Sequence, residues 1–213
     1  MTTPILAIKC AIDVAKTYAT AKTITAITKN ATGVATSAAH GLSNGAIGVL
    51  AVSGMAELDG QVVRVANVTT NTFDLEGIDT TNFGTFTSGT FTPITAWDRL
   101  GNAQGLSASQ AQPNRIETTT LADDTKQYVF GLPDSPQITI NGLLDPFSDA
   151  VINWRTASRA NTARVILVTF KNGIKFLVNG FVSGGDGFEA QGGDAMKQSY
   201  SVTQIKQPCW FAS

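Results

Sequence analysis

The sequence has two cysteines, one histidine and no long apolar run, and each shortage excludes a class of protein. Cys10 and Cys209 are too few for a disulfide scaffold. Two free thiols in a reducing compartment are the favoured interpretation, with a bridge between terminal strands as the alternative. No apolar stretch approaches the roughly 20 residues of a membrane helix. The N-terminus lacks a signal-peptide pattern, so we expect neither secretion by that route nor membrane insertion.

Charge and catalytic motifs are also scarce. The 15 basic and 16 acidic residues give a net charge of −1, whereas a nucleic-acid-binding face needs a clustered basic surplus. His40 is the only histidine, and its place before a glycine predicts a structural turn. No phosphate-binding loop is found. The glycine clusters at 184–187 and 192–194 lack the period of calcium-binding repeats. The sequence therefore predicts no enzyme, no cofactor and no metal site.

The sequence is rich in threonine, valine and glycine, which favour half-buried strands and tight connections. We therefore predict a mainly β fold. A single helix is expected from Asp145-Pro146, an N-cap followed by proline, with Phe147, Val151 and Trp154 on its buried stripe. The apolar run 165–170 predicts a central strand, and the K-N-G sequence at 171–173 predicts a hairpin turn. By contrast, the Gly/Ser/Gln-rich segment 101–113 is expected to be a mobile loop.

Residues 29–89 have the pattern of an inserted unit. Short apolar segments alternate with turn signals at regular spacing, which predicts a compact all-β module. The unit resembles the four-cysteine-half-domain (FCCH-like) fold of ubiquitin-activating enzymes, a small β-barrel-like module, and this likeness implies a fold rather than a function. We therefore expect a discontinuous host domain of residues 1–28 and 90–213, interrupted by a small β-barrel-like domain of residues 29–89.

The segment from Arg115 to Leu144 is the most specific part of the sequence. A β-branched strand leads into a polar loop from Ala122 to Gln127, then a G-L-P-D turn and a half-buried strand with Ile138 and Ile140. Its order, E-T-T-T-x-x-x-D-x-K-x-Y-x-x-G-L-P-D, resembles the major tail tube proteins of siphovirus-type bacteriophages. The helix and strands that follow continue the likeness to the end of the chain.

The resemblance implies a β-sandwich or barrel with one flanking α-helix. It implies a structural virion protein, six copies of which close into a ring, while stacked rings form a hollow tail tube through which DNA passes during ejection. The implied partners are further copies of the chain, a tape measure protein and transient DNA in the lumen, with terminator and tail-tip or baseplate proteins at the tube ends. Assembly in the bacterial cytoplasm and a final location in the virion tail follow.

The same comparison predicts which residues assemble the tube. We expect the loop from Glu117 to Tyr128 to be mobile in a monomer and to become fixed between subunits or rings, with an intersubunit salt bridge from Asp123 or Asp124 to Lys126 or Arg155. The predicted loop contacts are Glu117, Thr118, Thr119, Asp123, Asp124, Lys126, Tyr128 and Leu132. The C-terminal pair Trp210 and Phe211 is the second candidate contact, since burying either ring recovers about 2 kcal/mol. Packing on a neighbour and packing on the same chain both stay open.

A second function class is a tail-tip or fibre adhesin. In that interpretation the unit 29–89 binds carbohydrate at a cell surface. Its Phe73, Phe83 and Phe86, with Phe91, offer rings that either stack on sugars or fill the core of the unit. The location of these rings therefore separates the two interpretations.

Overall fold

The computed structural model describes residues 9–212 and has 48% of the chain in strands, which confirms the predicted mainly β class. One helix, α1 (Asp149–Arg159), is present in that range. The strands in chain order are β1 (Ala11–Tyr18), β2 (Lys22–Ile24), β3 (Ala26–Ile27), β4 (Val34–Thr36), β5 (Ile47–Ser53), β6 (Val62–Ala66), β7 (Thr72–Leu75), β8 (Ser88–Arg99), β9 (Ala103–Ala108), β10 (Pro113–Glu117), β11 (Tyr128–Pro133), β12 (Gln137–Leu143), β13 (Ala163–Thr169), β14 (Lys175–Gly184), β15 (Lys197–Gln204) and β16 (Cys209–Phe211).

Most strands form one curled sheet in the order β3-β4-β7-β6-β5-β8-β1-β13-β14-β15-β12-β9. β8 joins its two halves, because its first residues pair with β5 and β2 while its last residues pair with β1. β16 adds to the start of β14. The exceptions are β10 and β11, which form a separate two-stranded sheet.

Three hydrophobic clusters hold the fold together. The first lies between α1 and one face of the sheet and is centred on Trp154 and Tyr200, whose rings meet edge to face at a centroid distance of 5.3 Å. The second, built by residues between positions 24 and 91, is enclosed by β2 to β8. The third joins the opposite face of β1, β13 and β14 to β5, β6 and β16. The helix and the N-terminal strands therefore cover opposite faces of the same sheet.

The predicted helix exists but begins later than the sequence suggested. α1 starts at Asp149 after Ser148, and the expected cap at Asp145 was wrong. The Leu144 amide still donates to the Met196 carbonyl at 2.9 Å, so the chain is held in an extended pairing up to that point. Phe147 consequently lies outside the buried stripe and is 86% exposed. Trp154, in contrast, is fully buried as predicted.

Two segments predicted as irregular are strands. The segment 101–113 contains β9, which pairs with β12 through Gly105 opposite Asn141 and Ser107 opposite Thr139. Its composition has little β preference, so non-local backbone pairing decides its conformation. The predicted G-L-P-D turn was also wrong, because Gly131 to Pro133 lie inside β11. Pro133 is tolerated there because a two-stranded sheet has only edge strands.

The two cysteines are free thiols, as the favoured interpretation predicted. Cys10 precedes β1 and Cys209 lies in β16, and β13 and β14 separate those strands. Three strand spacings correspond to roughly 14 Å. A disulfide requires Cα atoms within about 7 Å, so the alternative bridge is excluded.

His40 has the structural role that the sequence predicted. Its ring is buried, its Nδ1 accepts the Leu42 amide at 3.0 Å, and its edge meets the Phe73 ring. Among residues 9–212 there is no cluster of histidine, cysteine, aspartate or glutamate that could hold a metal. Within the same range, no helix has the length and apolarity needed to cross a bilayer.

Candidate assembly surface

Residues Pro113–Pro133, here called the arm, form a hairpin that stands apart from the main sheet. Its strands β10 and β11 pair only with each other among the described strands, with Ile116 opposite Val129 and Glu117 opposite Tyr128. An isolated two-stranded hairpin is at best marginally stable in water. The arm therefore lacks the support that a third strand or a packed helix would supply.

Both faces of the arm carry exposed apolar side chains. Ile116 and Val129 lie on one face, while Tyr128 and Phe130 lie on the other, where the Arg115 guanidinium sits 4.2 Å from the centroid of the Tyr128 ring. Phe130 is 64% exposed. Contiguous apolar surface of this kind marks a contact site in soluble proteins.

The tip of the arm is closed by its own hydrogen bonds. The Thr118 amide donates to the Gln127 carbonyl at 3.0 Å, and the Thr120 amide donates to Asp123 Oδ2 at 2.8 Å. These bonds give the loop a turn conformation, and its mobility in a monomer stays a prediction.

Two charged residues of the arm, Lys126 and Glu117, pair with each other. Lys126 Nζ lies 3.5 Å from Glu117 Oε2, an exposed ion pair of little energetic weight. The Arg155 guanidinium already has hydrogen-bond partners in its own chain, since it donates to the Gly185 carbonyl at 2.6 Å and to the Pro146 carbonyl at 3.1 Å. The structure therefore offers no support for Arg155 as an ionic partner of the tip.

All eight predicted loop residues lie on this one arm. They are Glu117 in β10, Thr118, Thr119, Asp123, Asp124 and Lys126 in the tip, and Tyr128 and Leu132 in β11. Four further exposed apolar residues of the hairpin were not among the predicted contacts. They are Ile116, Leu121, Val129 and Phe130. Their signal was available, because Ile116 and the apolar run 128–130 stand on either side of the predicted polar loop.

We predict that ionisation of the Asp123 carboxyl can be followed by NMR at the Thr120 amide, which donates a hydrogen bond to it. The Thr120 amide and hydroxyl hydrogen bonds lower the pKa of the Asp123 carboxyl below its ordinary value of 3.8. Because the folded pKa is depressed, the bond supports the tip fully above the ordinary pKa and is lost as pH falls through the depressed value. In an NMR titration, we expect the Thr120 amide resonance to shift with a midpoint below 3.8.

The variant Asp124→Ala is the matched control for this titration, since Asp124 is the adjacent exposed carboxyl of the same tip. Asp124→Ala should leave the pH-dependent shift of the Thr120 amide resonance unchanged, whereas Asp123→Ala should remove that shift. A Thr120 transition that survives Asp123→Ala would contradict the assigned hydrogen bond.

The main sheet ends in an unpaired edge at β9. This strand pairs with β12 on one side, and no described strand pairs with its other side. All of its residues after Ala103 are exposed. A strand edge of this kind presents backbone donors and acceptors to any further strand. The edge and the arm are continuous in sequence, because β10 follows β9 after four residues.

Of the C-terminal pair, Phe211 packs on its own chain, whereas Trp210 stays largely exposed. Phe211 is only 4% exposed and packs with Ala15, Val62 and Leu177, so it belongs to its own chain. Trp210 is 59% exposed, although its ring stacks on that of Phe170 with a centroid distance of 5.8 Å. Only Trp210 remains available as a contact to a neighbour.

The segment 206–212 ties the N-terminal strands to the rest of the sheet. Lys206 Nζ donates to the Ala56 carbonyl at 2.9 Å, and Gln61 Nε2 donates to the Gln207 carbonyl at 3.1 Å. The Arg64 guanidinium lies 4.6 Å from the centroid of the Phe211 ring and is paired with Glu76. We call residues 206–212 the C-terminal clasp, because they hold the N-terminal strands against the rest of the sheet.

Replacing Phe211 by alanine should lower the free energy of unfolding by about 3 kcal/mol, because it empties a buried aromatic site in the third cluster. Phe181→Ala is the matched control, since that phenylalanine is exposed in the paired strand β14 and should cost less than about 1 kcal/mol. Urea denaturation of both variants provides the measurement. Equal losses would show that Phe211 contributes no more than a surface ring.

The aromatic rings proposed for carbohydrate binding lie in or against the hydrophobic cluster of the N-terminal strands. Phe73 and Phe91 are fully buried with ring centroids 5.3 Å apart, and Phe83 and Phe86 pack against the same cluster. Phe73 and Phe91 thus fill the core of the N-terminal strands, whereas Phe83 and Phe86 are half-buried at its edge. The adhesin interpretation therefore loses two of its four rings.

A protein-family model matches most of the sequence. The model of the family described as "Phage tail tube protein, TTP" matches residues 53–213, about three quarters of the chain. The matched range includes the arm, the free edge β9, the helix and the C-terminal clasp. No curated protein matches the sequence.

Proposed function

Because this chain belongs to the phage tail tube protein family, and is thus a structural protein of the phage tail, we propose that it assembles into hexameric rings that stack into a hollow tube. Genomic DNA passes through the lumen of that tube during ejection. The ring neighbours are identical copies, and no enzymatic step is needed. The tube is of the siphovirus type, built in the bacterial cytoplasm and carried in the virion.

The observation that carries the proposal is the combination of an unpaired sheet edge with an adjacent apolar arm. A free edge such as β9 is an aggregation hazard unless another strand covers it. A head-to-tail contact between identical chains covers every such edge when the rotation closes into a ring. Ring closure therefore satisfies the backbone groups that a single copy leaves open.

The arm offers a second contact surface, which faces an adjacent subunit or an adjacent ring of the tube. Its exposed Phe130 and Leu132 require a cover that residues 9–212 of the same chain do not supply. We place this cover on an adjacent subunit or ring, with the predicted loop residues of the tip at the same contact. The arm then gains on assembly the packing that a two-stranded hairpin lacks alone.

The remaining partners follow from the tube itself. A tape measure protein and, later, DNA occupy the lumen, while terminator and tail-tip or baseplate proteins close the two ends. We further propose that residues 29–89 form a separate small domain on the outer wall. Their own buried cluster supports this division, although it also recruits Ile24, Ile27 and Phe91 from the flanking segments.

The direct test is to concentrate the purified chain stepwise and to follow it by analytical ultracentrifugation and negative-stain microscopy. Six-membered rings or hollow tubes are the expected products. A chain that stays monomeric at every concentration, including in the presence of the other tail proteins, would overturn the proposal.

A further inference from the structure

A cleft of about 430 Å³ opens between the N-terminal strands and the C-terminal clasp. Pockets that hold small ligands typically measure about 300–1,000 Å³. One wall of this cleft is formed by residues 57–61 and 76–83, and the other wall is the clasp itself. The hydrogen bonds of Lys206 and Gln61 described above join the two walls. The cleft therefore belongs to the fold of a single chain.

The charged groups of the cleft are mostly acidic. The carboxylates of Glu57, Glu76 and Asp79 line it, against a single ammonium group, which is that of Lys206. Glu76 is already paired with Arg64. Glu57 and Asp79 are exposed, and neither has an ion-pair partner within residues 9–212. Two carboxylates of the cleft are thus available to a cation from outside the chain.

The cleft also has a buried amide whose acceptor is unused. Gln61 lines the cleft and is only 8% exposed, and its Nε2 donates to the Gln207 carbonyl at 3.1 Å and to Cys209 Sγ at 2.9 Å. Its Oε1 accepts no hydrogen bond from residues 9–212. The Lys206 ammonium, in turn, donates to the Ala56 carbonyl. These donors are engaged within the chain while acceptors stay open, so the cleft suits a group that only donates.

Apolar side chains supply the rest of the lining. Ile78, Phe83 and Pro208 are each half-buried at the cleft and leave part of their surface open to a ligand. A ligand that matches both parts of the cleft combines a hydrocarbon chain with a donor group. A sugar fits less well, because each of its hydroxyls accepts as well as donates and would need donors that this cleft has engaged elsewhere.

We propose that this cleft binds a primary aliphatic ammonium group, carried either by a lysine side chain of a partner protein or by a free diamine. Glu57 and Asp79 hold the ammonium group, and Gln61 Oε1 is a neutral acceptor for it. The hydrocarbon chain lies against Ile78 and Phe83. An ammonium group has three donors and no acceptor, which matches the open groups of the cleft. The site lies within one chain and does not depend on tube formation.

Binding can be measured by NMR titration of the unassembled full chain with diaminopentane. The reporters are the backbone amides of Gly77, which lines the cleft, and of Gly84, which donates to Glu57 Oε2 at 3.4 Å. We expect saturable shifts with a Kd on the order of 1 mM, which weakens as salt is added. N-acetyl lysine amide is the second probe. Tighter binding of this probe supports a partner's lysine as the ligand, and tighter binding of diaminopentane supports a free diamine.

Glu57→Gln and Asp79→Asn each remove one charge but keep an oxygen that can accept from the Gly84 and Thr81 amides. Each variant should weaken binding of both amines roughly fivefold, the effect of losing one exposed ion pair. Asp134→Asn is the matched control, because it removes an exposed carboxylate outside the cleft, and it should bind as the wild type does. Thermal unfolding of all three variants should match that of the wild type, which separates a lost site from a lost fold.

The ammonium site would be overturned if neither amine shifted the Gly77 and Gly84 amides. It would also be overturned if the two cleft variants bound as tightly as Asp134→Asn. Methyl glucoside is the neutral comparison ligand. If it bound through the same amides at least as tightly as diaminopentane, the cleft would be a sugar site and the proposal would be wrong. None of these results bears on tube formation, which the ultracentrifugation and microscopy experiment decides separately.

Discussion

Replacing Phe130 by aspartate should abolish tube formation and leave the thermal stability of the single chain unchanged. Phe130 is exposed on an arm that no other described strand supports, so its substitution removes no packing from the core. In an assembled tube the same side chain is proposed to be buried, and an unpaired charge there is costly. Negative-stain microscopy and thermal unfolding monitored by circular dichroism measure the two effects.

Phe147→Asp is the matched control, because Phe147 is an exposed aromatic residue just before α1 and outside the arm. Its tubes should be indistinguishable from those of the wild type. If Phe130→Asp assembles as well as Phe147→Asp, the arm is not an assembly contact. If Phe130→Asp instead lowers the melting temperature of the monomer, the arm is part of the folded core and the proposed contact has no separate basis.

Replacing Trp154 by alanine should have the largest effect on folding, with a loss of about 4 kcal/mol in the free energy of unfolding. The Trp154 side chain is fully buried, its ring meets that of Tyr200, and its Nε1 donates to the Ser183 carbonyl at 3.0 Å. Alanine leaves a cavity between helix and sheet and an unpaired carbonyl acceptor. Since domains are typically stable by only about 5–15 kcal/mol, the variant should be close to unfolded.

Trp210→Ala provides the comparison, since Trp210 is the exposed tryptophan of the C-terminal segment and should cost about 1 kcal/mol or less. Urea titration monitored by tryptophan fluorescence gives both values. The helix–sheet cluster would lose its central role if the two variants were equally stable.

Several elements followed from local sequence because their signals are local. The run 165–170 became the central strand β13, and the K-N-G sequence became the turn before β14, with Gly173 at a φ of 84°. The helical spacing of Val151 and Trp154 identified α1, although non-local pairing at Leu144 shifted its start. The motif from Glu117 to Asp134 identified the family, which the match over residues 53–213 confirmed.

The strand β9 and the exposed apolar residues of the arm were not predicted. The sequence of β9 has no strand pattern, and only its pairing with β12 makes it one. For a similar reason, the sequence could not predict that Phe211 is buried whereas Trp210 is exposed. Adjacent residues of a strand point to opposite faces, and the sequence does not state which face β5 and β6 will cover.

The amino-acid sequence by itself determined the β class, the K-N-G turn, the presence of a helix and the family, because propensity, periodicity and motif order are properties of short segments. The tertiary structure alone decided which edge stays unpaired and which aromatic rings are buried. Those features depend on contacts between residues far apart in the chain, such as Ser201 with Thr139 or Phe211 with Val62, and strand alternation fixes two faces without choosing between them.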